Sequence, residues 1–187
     1  MGSLWAGERV RLRGVEPEDW EAFRRFDEHT DDMRALDRVR PPRSRAGYRQ
    51  WAADRAVEAP QGDDFRLVIA MIEDDTAVGM INTPGANQRA GRFEYGISIG
   101  REHQRRGYAR EAITILLRFM FAERRYHKCE VSIYAYNEAS LALHRGLGFV
   151  EEGRLRDHEY GNGGYYDVVL MGMTRPEYAR RFDNAGG

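Results

Sequence analysis

The sequence predicts an α/β fold with a mixed sheet and flanking helices, and three observations carry that expectation. Ala109, Ala112, Ile113, Leu116, Leu117 and Met120 recur at helical spacing and define one apolar face. RFEYGISI (92–99), with its alternating apolar residues, precedes that helix, and the strand-like KCEVSIYAY (128–136) follows it. The three form a β-α-β unit, whose strands are parallel and whose crossover is right-handed in nearly all proteins. Near the end, Gly161-Asn162-Gly163-Gly164 separates two strand-like segments and signals a hairpin. A chain of 187 residues suits one well-buried domain, taken here as 1–187.

The elements follow in order. RVRLRGV (9–15) sets Val10, Leu12 and Gly14 against arginines, as an edge strand does. After Pro17, acids in the first turn and Trp20, Phe23 and Phe26 at helical spacing predict a helix. Residues 27–45 are charged and contain Pro41-Pro42, so a loop is expected. Ser44 can cap a helix that runs through Tyr48, Trp51 and Val57 to Ala59, where Pro60-Gln61-Gly62-Asp63 stops it. FRLVIAMI (65–72) and TAVGMIN (76–82) read as strands joined by an acidic turn. Residues 83–91 form a loop, and 92–99 read as one strand. EASLALHRGLGF gives a short helix ending near Gly146 or Gly148. The final strands cover roughly 149–160 and 165–173, and residues after about Arg180 are expected to fray.

Composition narrows the function classes. A net charge of −1 provides no global field toward nucleic acid or an anionic membrane, so neither is expected as a partner. The basic residues are arginines apart from Lys128. Cys129 is the only cysteine, which excludes an internal disulfide, and its alternation with Val131 marks a core thiol. The longest apolar run, AITILLRFMFA, is short and interrupted by Arg118, and the opening residues show no basic-then-apolar signal, so a cytoplasmic protein is expected. His29, His103, His127, His144 and His158 include no i, i+4 pair, so no metal site is expected.

The most informative stretch is HQRRGYAREA (103–112). No Ser, Thr, Asp or Asn lies between 101 and 109 to cap the helix that begins there. Gly107 permits close backbone approach or a left-handed conformation. Unpaired N–H groups, the helix dipole and flanking Arg105 and Arg106 together favour an anion such as a diphosphate. Water at the helix end fits the same pattern. Neither a Walker loop nor a G-x-G-x-x-G fingerprint is present.

Gln104-Arg105-Arg106-Gly107-Tyr108-Ala109 resembles the Q/R-x-x-G-x-G/A signature of the GNAT superfamily of N-acetyltransferases. The preceding strand, the following helix and strand, and YNEASLALHRGLGF occur in that family's order, and the tail GFVEEGRLRDHEYGNGGYYDVVLMGM resembles the branch of spermidine and ribosomal-protein N-terminal acetyltransferases. The resemblance covers a core of about 8–175. It implies a GNAT-type mixed sheet with a central β-α-β unit that binds acetyl-CoA as cosubstrate. Amides from Gln104 through Arg105, Arg106, Gly107 and Tyr108 to Ala109 would hold the diphosphate. The backbone of Ile97, Ser98 and Ile99 would pair with the pantetheine arm where the sheet splays from the strand at 131–134. Asn137 matches the family's cofactor-contacting asparagine, and an ordinary turn residue is the alternative.

The resemblance also implies the reaction: a neutral amine attacks the thioester, and a thiolate leaves. Positioning and an N–H of the 97–99 strand aimed at the developing negative charge would supply most of the acceleration. Glu94 is the candidate base, with an exposed strand acid as the alternative. The family's leaving-group tyrosine is replaced by His144, which fits a helix-surface histidine equally well. Ser140 occupies the position of a serine used by some relatives, and either residue could contact the sulfur. Asp27, Glu28, Asp31, Asp32 and Asp37 lie where relatives build the acceptor pocket, although a solvated charged loop is the simpler reading. Tyr165, Tyr166 and Asp167 would line that pocket or pair at the sheet edge. The expected acceptor is a polyamine or other small amine; a peptide N-terminus, a non-catalytic acyl-CoA sensor and a plain structural module that holds a protein carboxylate at the helix end are the alternatives. A homodimer is compatible with the resemblance.

Overall fold

The computed structural model describes residues 2–36 and 39–183, so Asp37 of the acidic group and residues 184–187 lie outside it. In chain order the elements are β1 (Val10–Arg13), α1 (Trp20–Phe26), α2 (Thr30–Leu36), α3 (Arg45–Ala56), β2 (Arg66–Met71), β3 (Ala77–Asn82), β4 (Arg92–Glu94), β5 (Gly96–Ile99), α4 (Tyr108–Arg118), β6 (Lys128–Tyr134), α5 (Glu138–Leu147), β7 (Val150–Gly161), β8 (Gly164–Thr174) and α6 (Arg175–Tyr178). They fall into two compact units, one formed by 1–84 with 96–117 and the other by 85–95 with the chain from 118 onward.

The first unit carries an antiparallel sheet in the order β1-β2-β3-β5. Val15, Ala22, Phe23, Tyr48, Val68, Ala70 and Ala77 form its buried core, with Trp20, Phe26, Trp51 and Met80 packed against them. Phe23 meets Trp51 edge-on at 4.9 Å, a favoured aromatic geometry. α3 starts as expected: the Ser44 hydroxyl accepts the Gly47 N–H at 3.0 Å. It stops at Ala56 rather than Ala59, and Val57 is exposed. The expected loop at 27–45 contains a helix, α2. None of its residues is buried, so no apolar periodicity marked it; an Arg34–Asp31 pair at 3.0 Å spans one turn instead.

The second unit carries a mixed sheet in the order β4-β6-β8-β7. β4 runs parallel to β6, with Phe93 opposite Cys129, and β8 lies antiparallel to both β6 and β7. Asn162 (φ 48°) and Gly163 (φ 83°) make the β7–β8 turn; two positive φ values match the right-handed twist of a tight hairpin. Phe93 packs edge-on against Phe121 and Tyr126 at 5.7 and 5.4 Å, and Cys129 is fully buried as expected.

Two further expectations change. Residues 92–99 are not one strand: the chain leaves one sheet and enters the other at Tyr95, so Phe93 and Ile97 belong to different sheets. The alternation survives that break, which is why spacing alone did not reveal it. The C-terminal segment is also ordered further than expected. α6 continues as a helical turn through Asp183, where Phe182 packs at a tilt against Tyr178, ring centres 5.0 Å apart.

Candidate active site

The loop between β5 and α4 has the backbone geometry of an anion cradle. Arg105 (φ 59°) and Gly107 (φ 82°) are both left-handed and Arg106 between them is not, an alternation that turns successive N–H groups toward one side. The first bond into α4 runs from Glu111 N–H to the Gly107 carbonyl at 3.2 Å. The N–H groups of Gly107, Tyr108, Ala109 and Arg110 meet no protein acceptor among the described residues. Gln104, Arg105, Arg106 and Gly107 are exposed, while Tyr108 and Ala109 are half-buried.

β5 supplies a second set of open backbone groups. Gly100 donates to the Val78 carbonyl at 2.9 Å, continuing the register in which Met80 faces Ser98 and Asn82 faces Gly96. Antiparallel pairing alternates, so Ile97 and Ile99 turn their main-chain groups toward the free edge of the sheet. Ser98 turns its N–H and carbonyl toward Met80 instead. Gln104 Nε2 donates to the Ile99 carbonyl at 3.2 Å and ties the loop to this edge.

In the second unit, Glu94 is exposed at the end of β4. Asn137 caps α5: its Oδ1 accepts the Ser140 N–H at 3.1 Å, so the N-x-x-S pattern has a structural role whatever else Asn137 contacts. Ser140 and His144 are brought together one helical turn apart. His144 Nδ1 lies 2.7 Å from the Ser140 carbonyl and 3.3 Å from its hydroxyl. His144 is not on the helix surface; it is 2% exposed, and burial lowers its pKa below the usual imidazole value. An Nδ1–H bonded to a carbonyl leaves Nε2 as a bare acceptor, and Nε2 has no partner among the described residues.

Three further residues with unusual surroundings escaped sequence reasoning. Glu111 accepts the backbone N–H groups of Arg9 and Val10 at 2.8 and 3.2 Å, and Arg9 Nη1 donates to the Arg106 carbonyl at 2.7 Å. Arg9 and Glu111 are too far apart in sequence for any spacing rule to link them. The third is Tyr95, whose burial pushes its phenol well above the usual range.

The acidic residues are engaged rather than free. Asp27 accepts from Tyr48 at 2.9 Å, and Glu28, Asp31 and Asp32 pair with Arg24, Arg34 and Arg101 at 2.6, 3.0 and 3.0 Å. On the last hairpin, Tyr165 is exposed against Tyr160, Tyr166 meets Tyr136, and Asp167 accepts from Arg154 at 3.4 Å. No helix among the described residues is long and apolar enough to cross a membrane.

Comparison with known proteins identifies the family. Residues 9–150 match the model of the acetyltransferase (GNAT) domain. The chain belongs to the GNAT acetyltransferase family. It is 36% identical over 176 residues to the SPbeta prophage-derived uncharacterized N-acetyltransferase YokL of Bacillus subtilis (strain 168), covering 94% of this chain and 96% of that one. It is 32% identical over 104 residues to spermidine N(1)-acetyltransferase of Vibrio cholerae (serotype O1, strain ATCC 39315 / El Tor Inaba N16961), across 56% of this chain and 60% of the relative. The crystal structure of spermidine N-acetyltransferase from Vibrio cholerae in complex with CoA and spermine superposes with a TM-score of 0.76 at 24% identity, covering 90% of this chain and 97% of that one, a likeness of fold.

This GNAT member is an acetyl-CoA-dependent N-acetyltransferase. Its own residues fit such a donor: four unpaired amides at an exposed helix start suit a diphosphate, and the free β5 edge suits an amide-bearing arm.

Proposed function

We propose that this acetyltransferase acts on the primary amine of a small molecule, with polyamines as the leading acceptor class, and that the start of α4 holds the donor. The observation that carries the donor site is the row of unpaired N–H groups at Gly107–Arg110 behind two left-handed residues. When bound, acetyl-CoA supplies an activated acyl thioester. Gly107, Tyr108, Ala109 and Arg110 offer N–H groups to its diphosphate, and Ile97 and Ile99 offer backbone pairing to its pantetheine arm. An N–H of β5 is also the group best suited to meet negative charge developing on the acyl oxygen.

Glu94 is the proposed base, an exposed carboxylate able to take the proton that an ammonium acceptor must lose before it attacks. Ser140 is the proposed contact for the departing sulfur. His144 suits that role less well, because it is neutral by burial and commits its Nδ1 proton to a carbonyl. A thiol needs little help to leave.

The acceptor class rests on the likeness to spermidine N(1)-acetyltransferase, since the acids at 27–32 are already paired. The test is CoA release with polyamines, simple monoamines and alanine-terminated peptides. Turnover with polyamines or other small amines is expected. Turnover confined to peptides overturns the acceptor class, and thermal stabilisation by CoA without any turnover overturns the catalytic reading.

A further inference from the structure

Resting on the reading that the loop before α4 holds the donor's diphosphate, we propose that Arg9, at the start of the first strand, is a further donor-binding residue that gives its Nη2 hydrogens to that diphosphate. The guanidinium divides its donors in an informative way. Nε bonds Glu111 Oε2 at 3.1 Å, and Nη1 bonds the Arg106 carbonyl at 2.7 Å. Nη2 has no acceptor among the described residues, yet it lies against Gly107: a Cβ built there would stand 2.8 Å from it. A surface ion pair would normally turn two parallel N–H groups onto one carboxylate. Here Nε is spent on the carboxylate and Nη1 on the loop, which leaves both Nη2 hydrogens beside the unpaired amides.

The surroundings hold the guanidinium in place. Glu111 is only 15% exposed, and the N–H groups of Arg9 and Val10 together with the Arg9 side chain keep its carboxyl below the usual range despite burial. Gly7 lies so close to Glu111 that any side chain there would overlap the carboxylate. Arg9 itself is 53% exposed, so its charge stays within reach of an incoming anion. The bond to the Arg106 carbonyl acts on the same peptide unit that ends in the Gly107 N–H, and polarising one end of a peptide makes its other end a stronger donor. Arg9 therefore serves the site twice, by direct charge and through the Gly107 amide. The glycine at 107 makes room for this side chain as well as for its own left-handed turn.

The experiment measures CoA and pantetheine affinities by calorimetry without acceptor, so turnover plays no part. Wild type is compared with Arg9→Met and Arg9→Lys. Losing a charge-assisted hydrogen bond is worth roughly tenfold to a hundredfold, so Arg9→Met should weaken CoA by at least about tenfold and leave pantetheine, which lacks the diphosphate, within about twofold. Arg9→Lys, which keeps the charge and perturbs packing least, should fall between them. Equal losses for both ligands, or CoA binding unchanged in either variant, overturn the proposal. A wild type that binds CoA no more tightly than pantetheine overturns the loop reading instead.

Discussion

The imidazole of His144 stacks on the phenol of Tyr95 at 5.8 Å with 26° between the planes, and each carries a buried polar atom that has no partner among the described residues. The pair is a source of pH sensitivity. Folded His144 resists protonation, whereas the unfolded chain takes up a proton near the ordinary value of 6.5. Above that value both states are neutral and stability is level. As pH falls below it, the unfolded state binds a proton that the folded state declines, so stability drops until the lowered folded value is passed. Melting followed from pH 8 to 5 should show this slope, and His144→Gln should flatten it. His103, also lowered by burial, acts in the same direction.

Tyr95→Phe removes the enclosed hydroxyl and little else. A buried unsatisfied polar group costs about 1–3 kcal/mol. The variant should therefore match or exceed the wild-type unfolding free energy in urea, by about 1 kcal/mol. A clear loss of stability would mean that the hydroxyl has a partner in solution.

Gly107 and Gly163 share a left-handed backbone, at φ 82° and 83°, but not their surroundings. Alanine at 163 would meet nothing within 4 Å, whereas alanine at 107 would press on Arg9. Both substitutions should cost about 1–2 kcal/mol of stability from backbone strain. Only Gly107→Ala should also raise KM for acetyl-CoA, by at least about tenfold, because it displaces both the amides and the guanidinium.

Asn137 can be divided into its two roles. Asn137→Ala should lose about 1 kcal/mol as the α5 cap disappears. Asn137→Ser keeps a capping oxygen and should recover that stability. If KM for acetyl-CoA stays raised in the serine variant, the side chain contacts the donor; if it returns to normal, the residue is a cap alone.

Glu94→Gln should lower kcat at neutral pH by roughly a hundredfold, within the usual span for general bases. The defect should shrink as pH approaches the pKa of the acceptor amine, where the amine arrives already neutral. A defect constant across pH would remove Glu94 from proton transfer.

The sequence disclosed what periodicity and local chemistry encode. The apolar face of α4, the Ser44 cap and the Asn162-Gly163 turn were legible because each depends on residues a few positions apart. The amide row at Gly107 was legible for the same reason: a missing cap is a local fact. What stayed hidden depends on pairing over distance. The split at Tyr95 is invisible because both halves alternate correctly. α2 buries nothing and left no stripe. The burial of His144 is set by Tyr95 and Phe149 around it, and the Arg9–Glu111 link joins residues that no spacing rule connects.

The change of sheet at Tyr95 also imposes an order on synthesis. β5 finds its partner in β3, which has already left the ribosome, whereas β4, made just before β5, pairs among the described strands with β6, more than thirty residues downstream. A nascent chain arrested after α4 can complete the first sheet while Phe93 still waits in solution for Cys129. Adjacent residues on one short stretch thus mature at different times, and the Phe93 ring is bare until the second sheet closes over it.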